Sequence, residues 1–446
     1  MAALVVAVAG AAGVGIAGPY VAGGVAEDQY DRAVRVFSDN PSVEIQSRTF
    51  DRGVRRSHAR TELVLAGQAR DAVRELFPGA VSYDAVLLVV EDTIHHGPVF
   101  LSRDHPLAAA RVDTRVLPGA ALLNEFPELD GDQSLITADT TVALDGDTYT
   151  RFHAPATDWS GDGSRLAFSP LQGRVDLNAD MDEVRFEAAL DDLRIQSPEG
   201  AFQLNGMSLD ADSRALSRHL WVGSSTFNTH RFQWESGSEF LQVDGLAMQW
   251  SSDVADGLLE ADVRLTSDAA RAPATRLEGS RLRLRASNID QWALEQVLEW
   301  SEALEAGELS QQQLAANLMG VWPQALEHGP SVSVEEFELG LEDGPVSGRA
   351  RLGWSAGVPS MNNPFALVNG IDLELTLAGP EPWMRRTIAG ASGSPEQTQQ
   401  TIDSLVQQGL LVRRDGELST EIRLDQGRIV ANGNDLGSVW QALGWF

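Results

Sequence analysis

Short stretches that alternate between apolar and polar residues recur along most of the chain, and they predict β-strands. In Arg281–Arg285 the leucines lie on one face and the arginines on the other, as the two-residue period of a strand requires. The runs Thr61–Ala66 and Ala85–Val90 are apolar or half-apolar and have the length of a strand. These patterns favour a chain built mostly of strands.

Two segments predict β-hairpins, in which consecutive strands pair antiparallel. The first is Val332–Trp354, which alternates on both sides of a turn at Asp343–Pro345. The second is Thr420–Ala431, where Gly427 suits the positive φ of a tight turn. The strands are therefore expected to pair mainly with their neighbours in sequence.

Three segments have the spacing of helices. The first is Gln291–Trp300, the second starts after Ser310 and ends near Pro323, and the third begins around Ser394–Pro395. The apolar face of the third helix is formed by Ile402, Leu405, Val406 and Leu410. The pattern predicts an α+β, β-dominated fold, with long twisted antiparallel sheets of hairpins and meanders and a few covering helices.

The start of the chain differs from the rest because the first charged side chain is Glu27. An uncharged segment of this length can cross a bilayer core, which needs about 20 mostly apolar residues. Three interpretations of residues 1–26 remain open: a retained membrane anchor, a cleaved secretory signal and a buried helix. We treat Glu27–Phe446 as one β-rich body, because no repeat of fixed period and no decisive linker divides it.

The flanking charges conflict with a simple orientation for this segment. The nearest basic residues, Arg32 and Arg35, follow it and none precedes it, which by the positive-inside rule would leave the body in the cytoplasm. Acidic Glu27, Asp28 and Asp31 share the region, and a basic leader upstream of Met1 would reverse the bias. We therefore expect an inner-membrane anchor or a cleaved signal, with the body in the periplasm.

Composition excludes several classes of function. The formal net charge is −30, from 64 acidic and 34 basic residues, and every basic residue is arginine. Such a charge disfavours nucleic acid and anionic lipid surfaces as partners. There is no cysteine, so disulfides, zinc-thiolate sites and thiol nucleophiles are impossible.

No motif points to a particular catalytic chemistry. His95 and His96 form the only adjacent histidine pair, but no pattern supplies the further ligands that a metal site needs. A hydrolase using either histidine with Glu91 or Asp92 stays as the less favoured alternative. We expect no catalytic, metal or cofactor site.

Two other patterns have an ordinary interpretation beside a functional one. Asp158–Gly163 is similar to the first half of a calcium-binding loop, but Ser169 stands where the bidentate acid is required, so a turn between strands is favoured. The arginines of Arg281–Arg285 could bind an anionic headgroup or glycan, but they also fit the wet face of a strand.

Four short segments stand out by their order along the chain: Phe50–Ser57, with an Arg-Gly and Ser pattern; Ile94–Phe100, with a His-Gly-Pro motif; Leu177–Asp180; and the closing segment Gly427–Gly433. This order resembles the YdgA-like family (YdgA and YihF type), a bacterial envelope family whose domain has no assigned function. The resemblance spans nearly the whole chain, although a basic leader is missing.

The resemblance implies an exported or inner-membrane-anchored protein of a Gram-negative bacterium, rich in antiparallel strands and without known catalytic residues. The motif residues that we single out as structural or interaction candidates are Arg52, Gly53, His96, Gly97, Pro98, Asn178 and Asp180. Glycine permits conformations closed to other residues, and proline fixes its own φ. A structural role is therefore favoured over recognition by an exposed loop.

Two non-enzymatic functions fit these features. In the first, the sheet leaves an apolar groove partly open for lipid or another apolar ligand. In the second, the chain is a periplasmic scaffold whose edges or faces pair with an envelope protein. The sequence decides neither ligand, partner nor oligomeric state.

Overall fold

A computed structural model of the chain describes residues 43–66, 87–97, 107–125, 129–161, 163–273, 275–305, 309–357, 369–392 and 395–438. Antiparallel strands dominate this part of the chain, as the alternation predicted. The strands are β1 (Val43–Asp51), β2 (Arg56–Leu65), β3 (Leu88–His96), β4 (Ala110–Pro118), β5 (Ile136–Val142), β6 (Thr148–Ala154), β7 (Thr157–Gly161), β8 (Ser164–Phe168), β9 (Leu171–Leu177), β10 (Glu183–Ser197), β11 (Gly200–Ala215), β12 (Trp221–Ser236), β13 (Glu239–Ala255), β14 (Leu258–Ser267), β15 (Ala269–Ala272), β16 (Thr275–Asp290), β17 (Ser331–Leu341), β18 (Gly344–Trp354), β19 (Ile371–Pro380), β20 (Val412–Arg414), β21 (Glu417–Asp425), β22 (Arg428–Ala431) and β23 (Asn434–Ser438).

The chain divides into two compact units. Unit 1 comprises the described residues up to Arg214 and Phe227–Phe240, and unit 2 comprises Ala215–Thr226 and the described residues from Leu241 onward. The helices of the described residues are α1 (Ala120–Glu125) in unit 1 and α2 (Gln291–Glu305), α3 (Gln311–Glu327), α4 (Glu381–Ser392) and α5 (Pro395–Gln407) in unit 2.

In unit 1 most strands pair with their neighbours in sequence. The pairing runs β1, β2, β3, β4, β5, β6, β9, β10 and β11, with β7 and β8 forming a hairpin whose second strand also pairs with β10. One face of this arrangement is buried. Directly opposed residues on six successive strands, from β2 to β9, are all between 0% and 8% exposed; they are Ser57, Ile94, Val112, Thr140, Thr150 and Val175.

The apolar core of unit 1 lies on this buried face. Leu63, Val90, Val116 and Ile136 belong to one cluster of buried residues, and Ala121 and Leu122 of α1 pack into it. Burial of this extent is the main source of stability for a domain. The core therefore forms on the face where the alternating pattern places its apolar positions.

In unit 2 the strands form a second antiparallel meander. The pairing runs β13, β14, β16, β17, β18, β19, β21, β22 and β23, while β15 bridges β13 and β16 and β20 pairs with β21. Two helical hairpins interrupt it. The α2–α3 hairpin lies between β16 and β17, and the α4–α5 hairpin lies between β19 and β20.

The predicted hairpins are confirmed. β17 pairs with β18, and β21 pairs with β22 through a turn in which Gln426 and Gly427 have φ values of 48° and 76°. Thr61–Leu65 lies in β2, whereas β3 begins only at Leu88. The start of the Ala85–Val90 prediction lies outside the described residues.

The predicted helix starts are confirmed, the third by the start of α5 at Pro395 and the first two by their capping contacts. The Ala293 N–H donates to Asp290 Oδ1 at 2.8 Å, and Ser310 forms a capping box with Gln313 at the start of α3. The predicted end near Pro323 is wrong, because α3 continues through Pro323 to Glu327. Packing of the buried Leu326 offsets the backbone hydrogen bond that proline removes.

Residues 1–42, which include the predicted anchor or signal, lie outside the described part of the chain. Among the residues that the structure describes, none of the helices has the length and apolar character that a membrane crossing requires.

Candidate functional site

The two N-terminal motifs meet in the structure, at the start of β2 and the end of β3. Ser57 Oγ lies 2.9 Å from His96 Nε2, and the Gly53 N–H donates to Ser57 Oγ at 3.3 Å. The His96 N–H also donates to the Arg55 carbonyl at 3.0 Å. The Arg-Gly and Ser pattern and the His-Gly pair are therefore parts of one polar contact.

At both motif glycines a neighbouring backbone carbonyl lies so close that there is no room for a side chain. A methyl group on Gly53 would lie 1.9 Å from the Arg56 carbonyl oxygen, and one on Gly97 would lie 2.1 Å from the Ala108 carbonyl oxygen. Any larger residue would push these segments apart. This geometry is compatible with a structural role for Gly53 and Gly97, which stays a prediction.

The electrostatic surroundings favour a neutral His96. Burial, followed by the charges of His95 and Arg52, lowers the pKa of His96 below its usual value. A neutral imidazole can accept a hydrogen bond from the Ser57 hydroxyl at Nε2. Ser57 is only 1% exposed, so this hydroxyl is shielded from a dissolved substrate. The contact therefore joins the start of β2 to the end of β3 and suits a structural role.

The acidic residues that were considered as catalytic partners contact neither His95 nor His96. Glu91 accepts from Arg60 at 2.6 Å, and Asp92 accepts from the Thr114 hydroxyl at 2.6 Å. His95 instead places Nε2 2.9 Å from Asp113 Oδ2 on the neighbouring strand. The partner of His96, Ser57, belongs to a motif that the sequence indicated, whereas the partner of His95, Asp113, was missed, and only the strand register reveals both pairs.

Asp92 is a carboxyl group inside the covered face of unit 1. It is 2% exposed, and its Oδ2 has no hydrogen-bond partner among the described residues. Burial raises the pKa of Asp92 to about 7, although the hydrogen bond from Thr114 acts in the opposite direction. Burial therefore favours the protonated form of the Asp92 carboxyl group.

The remaining motif residues form a turn or lie outside the described chain. Asn178 Oδ1 accepts from the backbone N–H groups of Asp182 and Glu183, both at 3.0 Å, and so closes the turn between β9 and β10. Asp180 lies exposed in this turn. Pro98 lies outside the described residues. Asn178 and Asp180 are thus far along the chain from His96 and serve a separate turn.

The segment that is similar to a calcium loop forms a hairpin turn between β7 and β8. Arg165 donates to both carboxylate oxygens of Asp158, at 2.7 and 2.5 Å, so this acid is already paired. Across the described ranges no group of three or more acidic or histidine side chains is placed to hold a metal ion.

The arginines of β16 lie on a polar face and are paired with acids. Arg281 contacts Glu338, Arg283 contacts Asp262, and Arg285 contacts Glu260. Each of these three distances is 2.8 Å. Because neighbouring strands neutralise these charges, the stripe does not form a free anion site.

The opposite face of the same strands is apolar across unit 2. Directly opposed residues on eight successive strands form one continuous row, here called the central row; they are Trp250, Val263, Leu284, Val334, Ala350, Leu375, Ile422 and Ala431. A second row beside it contains Val332, Leu352, Leu373, Leu424 and Ile429. We call the surface formed by these two rows the open apolar face.

The open apolar face is only partly buried. Among the residues of the central row, Trp250 is 37% exposed, the next six are partly exposed, and only Ala431 is buried. In the second row, Val332 is 54% exposed and Leu352 is 42% exposed. A large apolar surface that remains accessible is typical of a binding site.

The helical hairpins of unit 2 lie at opposite ends of these strands. Met384 of α4 and Ile402 of α5 pack with Leu377 and Leu418, near the end of β19 and the start of β21. At the other end, the ring of Trp322 in α3 lies 6.3 Å from that of Trp354 in β18. The middle of the open apolar face therefore lies between two helical hairpins.

Two surface grooves accompany the polar rows. One, of about 540 Å³ in unit 2, is lined by residues that include Glu336, Arg349 and Glu421. The other, of about 660 Å³ in unit 1, is lined by residues that include Arg174 and Glu187. Each groove mixes acidic and basic groups, so neither selects a ligand of one charge.

These features define a protein of antiparallel sheets whose distinguishing surface is an accessible apolar face. The chain belongs to the DUF945 family, described as a bacterial protein of unknown function, whose family model matches residues 1–437. No significant match was found among curated proteins or among solved structures. The narrower YdgA-like resemblance stays a prediction.

Proposed function

We propose that this bacterial protein binds the acyl chains of lipid on the open apolar face of unit 2. The observation that carries the proposal is the central row, which is apolar on eight successive strands and yet buried only at Ala431. Withdrawing such an apolar row from water lowers the free energy.

The dimensions of the face suit an extended chain. Strands lie about 4.8 Å apart, so the seven steps of the central row cover roughly 34 Å. An acyl chain reaches about half of the ~30 Å hydrocarbon thickness of a bilayer. The row is therefore about two acyl chains long, and the parallel second row widens the contact.

The chemistry of the face favours hydrocarbon over a polar ligand. Its two rows carry aliphatic and aromatic side chains, whereas the charged side chains of the same strands, such as Arg283 and Arg351, point to the other side. An acyl chain needs no hydrogen bonds, so such a surface can hold it without leaving polar groups unpaired.

The test uses full-length protein and a phosphatidylcholine that carries a photoactivatable diazirine in its acyl chain. After irradiation, mass spectrometry of peptides is expected to place the label on strands of the open apolar face. The variant Leu375→Glu introduces a charge into the central row and is expected to lose most of this labelling.

A matched control is Thr376→Glu on the same strand, because Thr376 is exposed and points to the opposite face. It adds the same charge and is expected to retain the labelling. Equal loss in both variants, or label spread evenly over both units, would contradict the proposal. Circular dichroism of each variant shows whether the fold is kept.

The scaffold function is the second candidate, and the same observation supports it, since an apolar partner segment could cover the face. A hydrolase receives no support from the Ser57–His96 contact, because the hydroxyl is buried. If His96→Ala kept the fold and abolished the cellular phenotype, that result would restore the enzyme alternative. Location in the bacterial envelope is part of the proposal, and it rests on the uncharged residues 1–26.

A further inference from the structure

Helix α3 has apolar residues beside its packed face as well as on it. The packed face includes the buried Val321 and the partly buried Leu314, seven residues before it. Beside this face, Leu318, Met319 and Trp322 are 37%, 62% and 42% exposed, and the three share one side of the helix. The apolar surface of α3 therefore extends beyond the packed face, and this outer part is suited to a further contact.

The helix also carries no charged residue before its last position, Glu327. No charged residue occurs between Leu309 and Leu326, although the whole chain contains 64 acidic and 34 basic residues. Helices that lie on anionic membranes carry lysine or arginine beside their apolar face, and α3 carries neither. Its surface therefore suits a partner without net charge.

The position of α3 links it to the open apolar face. The Trp322 ring lies 6.3 Å from that of Trp354, which is at the end of β18 and next to the exposed Val332 and Leu352 of the adjoining strand pair. An apolar molecule that enters beside α3 would reach this end of the face without crossing a charged surface.

The neighbouring helix α2 carries an exposed tryptophan and acidic residues, and the acidic residues disfavour an anionic partner. Trp292 is 47% exposed and lies near the start of α2, where Gln324 of α3 donates to Asp290 at 3.3 Å. Tryptophan favours the interface between water and lipid, where its ring meets the hydrocarbon and its N–H meets the headgroups. The exposed Glu299 on α2 would repel an anionic surface.

We propose that Leu318, Met319 and Trp322 of α3 insert into the surface of an uncharged, zwitterionic lipid bilayer and place the Trp354 end of the open apolar face at the membrane. This inference rests on the proposed function and assigns its source of lipid: the acyl chains enter from a neutral bilayer beside α3. A second copy of the chain or another protein on the same surface is an alternative that the experiment separates.

The absence of cysteine allows a site-specific test. Met319→Cys in the full-length protein is labelled with an environment-sensitive fluorophore, and vesicles of phosphatidylcholine that contain spin-labelled lipid are added. The emission is expected to shift to the blue and to be quenched several-fold by the spin label. A label at Glu374→Cys, on the polar face of β19, is the matched control and is expected to change little.

Three results would overturn the inference. The first is a label at Met319→Cys that is not quenched by the spin-labelled vesicles. The second is a label that is already blue-shifted in lipid-free solution, which would indicate a second copy over this surface. The third is stronger quenching in anionic vesicles than in neutral ones.

A second variant separates this inference from the proposed function. Met319→Glu is expected to reduce photolabelling of the open apolar face when lipid is supplied in vesicles, and to leave it unchanged when a short-chain lipid is supplied as monomers. Equal labelling from vesicles in the variant and the unaltered chain would overturn loading through α3. Loss of labelling with monomeric lipid in both proteins would refute acyl binding itself, while quenching at Met319→Cys would still report the membrane contact.

Discussion

The two units use the same antiparallel meander but treat its apolar face differently. In unit 1 the row from Ser57 to Val175 is between 0% and 8% exposed, and it includes hydroxyl groups that need partners. In unit 2 every residue of the central row from Trp250 to Ala431 is apolar, and all but Ala431 are at least partly exposed. The covered face of unit 1 thus contains polar residues, whereas the more exposed face of unit 2 is apolar. Solubility alone would favour the opposite arrangement.

This contrast assigns different tasks to the two faces. The buried face of unit 1 stabilises its own sheet, since apolar residues on it, such as Val90 and Val116, pack in one cluster with Ala121 and Leu122 of α1. The central row of unit 2 retains surface whose burial by a ligand would be favourable. The following predictions test that difference.

The largest expected effect comes from truncating matched apolar residues on the two faces. Ile94→Ala removes a side chain that is 0% exposed, and it should lower the free energy of unfolding of unit 1 by about 2–5 kcal/mol. Leu375→Ala on the open apolar face should cost less than about 2 kcal/mol, because water already reaches that side chain.

Urea unfolding followed by hydrogen exchange, which reports on each unit separately, measures both costs. The lipid-free protein is used, so that ligand does not stabilise unit 2. Similar costs at the two positions would show that the face of unit 2 is covered in solution.

The next effect concerns the carboxyl group that only the covered face contains. The folded protein holds the Asp92 proton up to a pKa of about 7, whereas the unfolded chain releases it near 3.8. Stability should therefore fall as the pH rises from about 4 to about 7, by an amount on the order of 4 kcal/mol at ~1.4 kcal/mol per pKa unit. Below this window the penalty is absent.

Asp92→Asn keeps the shape and stays neutral, so it should lose this dependence and gain stability relative to the unaltered chain as the pH rises. Urea titrations of both proteins between pH 4 and pH 8 measure the difference. Parallel stability curves would mean that Asp92 ionises in the folded protein as readily as in the unfolded one.

A smaller effect is expected from the contact between the two motifs. Ser57→Ala leaves the Gly53 N–H and His96 Nε2 without their shared partner, which should cost about 1–3 kcal/mol. Thermal unfolding measures the loss, and NMR titration of His96 shows whether its ring gains access to water.

Ser347→Ala is the control, because Ser347 is exposed on the polar face of β18. Its effect should stay within about 0.5 kcal/mol. If Ser57→Ala lowered the stability no more than Ser347→Ala, the Ser57–His96 contact would not stabilise the pairing of β2 with β3.

The smallest effects are expected on the polar faces, where the two units are alike. Arg60→Ala in unit 1 breaks an exposed ion pair with Glu91, and Arg283→Ala in unit 2 breaks a partly exposed ion pair with Asp262. Each change should cost about 0–1 kcal/mol, since exposed pairs are screened and lose side-chain entropy when they form. The unfolding midpoint in low and high salt measures this, and a cost of several kcal/mol at Arg283 alone would locate the stabilising surface of unit 2 on its charged face.

Sequence reasoning predicted the local elements well and their contacts poorly. Alternation in Arg281–Arg285 and the turn at Gly427 were sufficient for strands and a hairpin, because both depend on neighbours in sequence. Helix α4, Glu381–Ser392, was not predicted, because it is held by the tertiary packing of Met384 against Leu418. The end of α3 was misplaced because tertiary packing of Leu326 outweighs the local effect of Pro323.

The candidate site was only partly predictable for the same reason. The motifs around Gly53 and His96 were recognised separately, but their contact through Ser57 depends on the pairing of β2 with β3. The tie between Asp92 and Thr114 likewise follows from the pairing of β3 with β4. A period of two shows which residues share a face, but it does not show which residues on another strand will oppose them.

The amino-acid sequence by itself determined the β-dominated class, the division of each strand into an apolar and a polar side, and the exclusion of thiol chemistry. These properties follow from local periodicity and residue type. Only the tertiary structure decided that the apolar side is covered in unit 1 and accessible in unit 2, because exposure depends on which other elements pack over a face. The sequences of β3 and β19 both place apolar residues on one side. The packing around them makes that side a buried core in β3 and a partly exposed surface in β19.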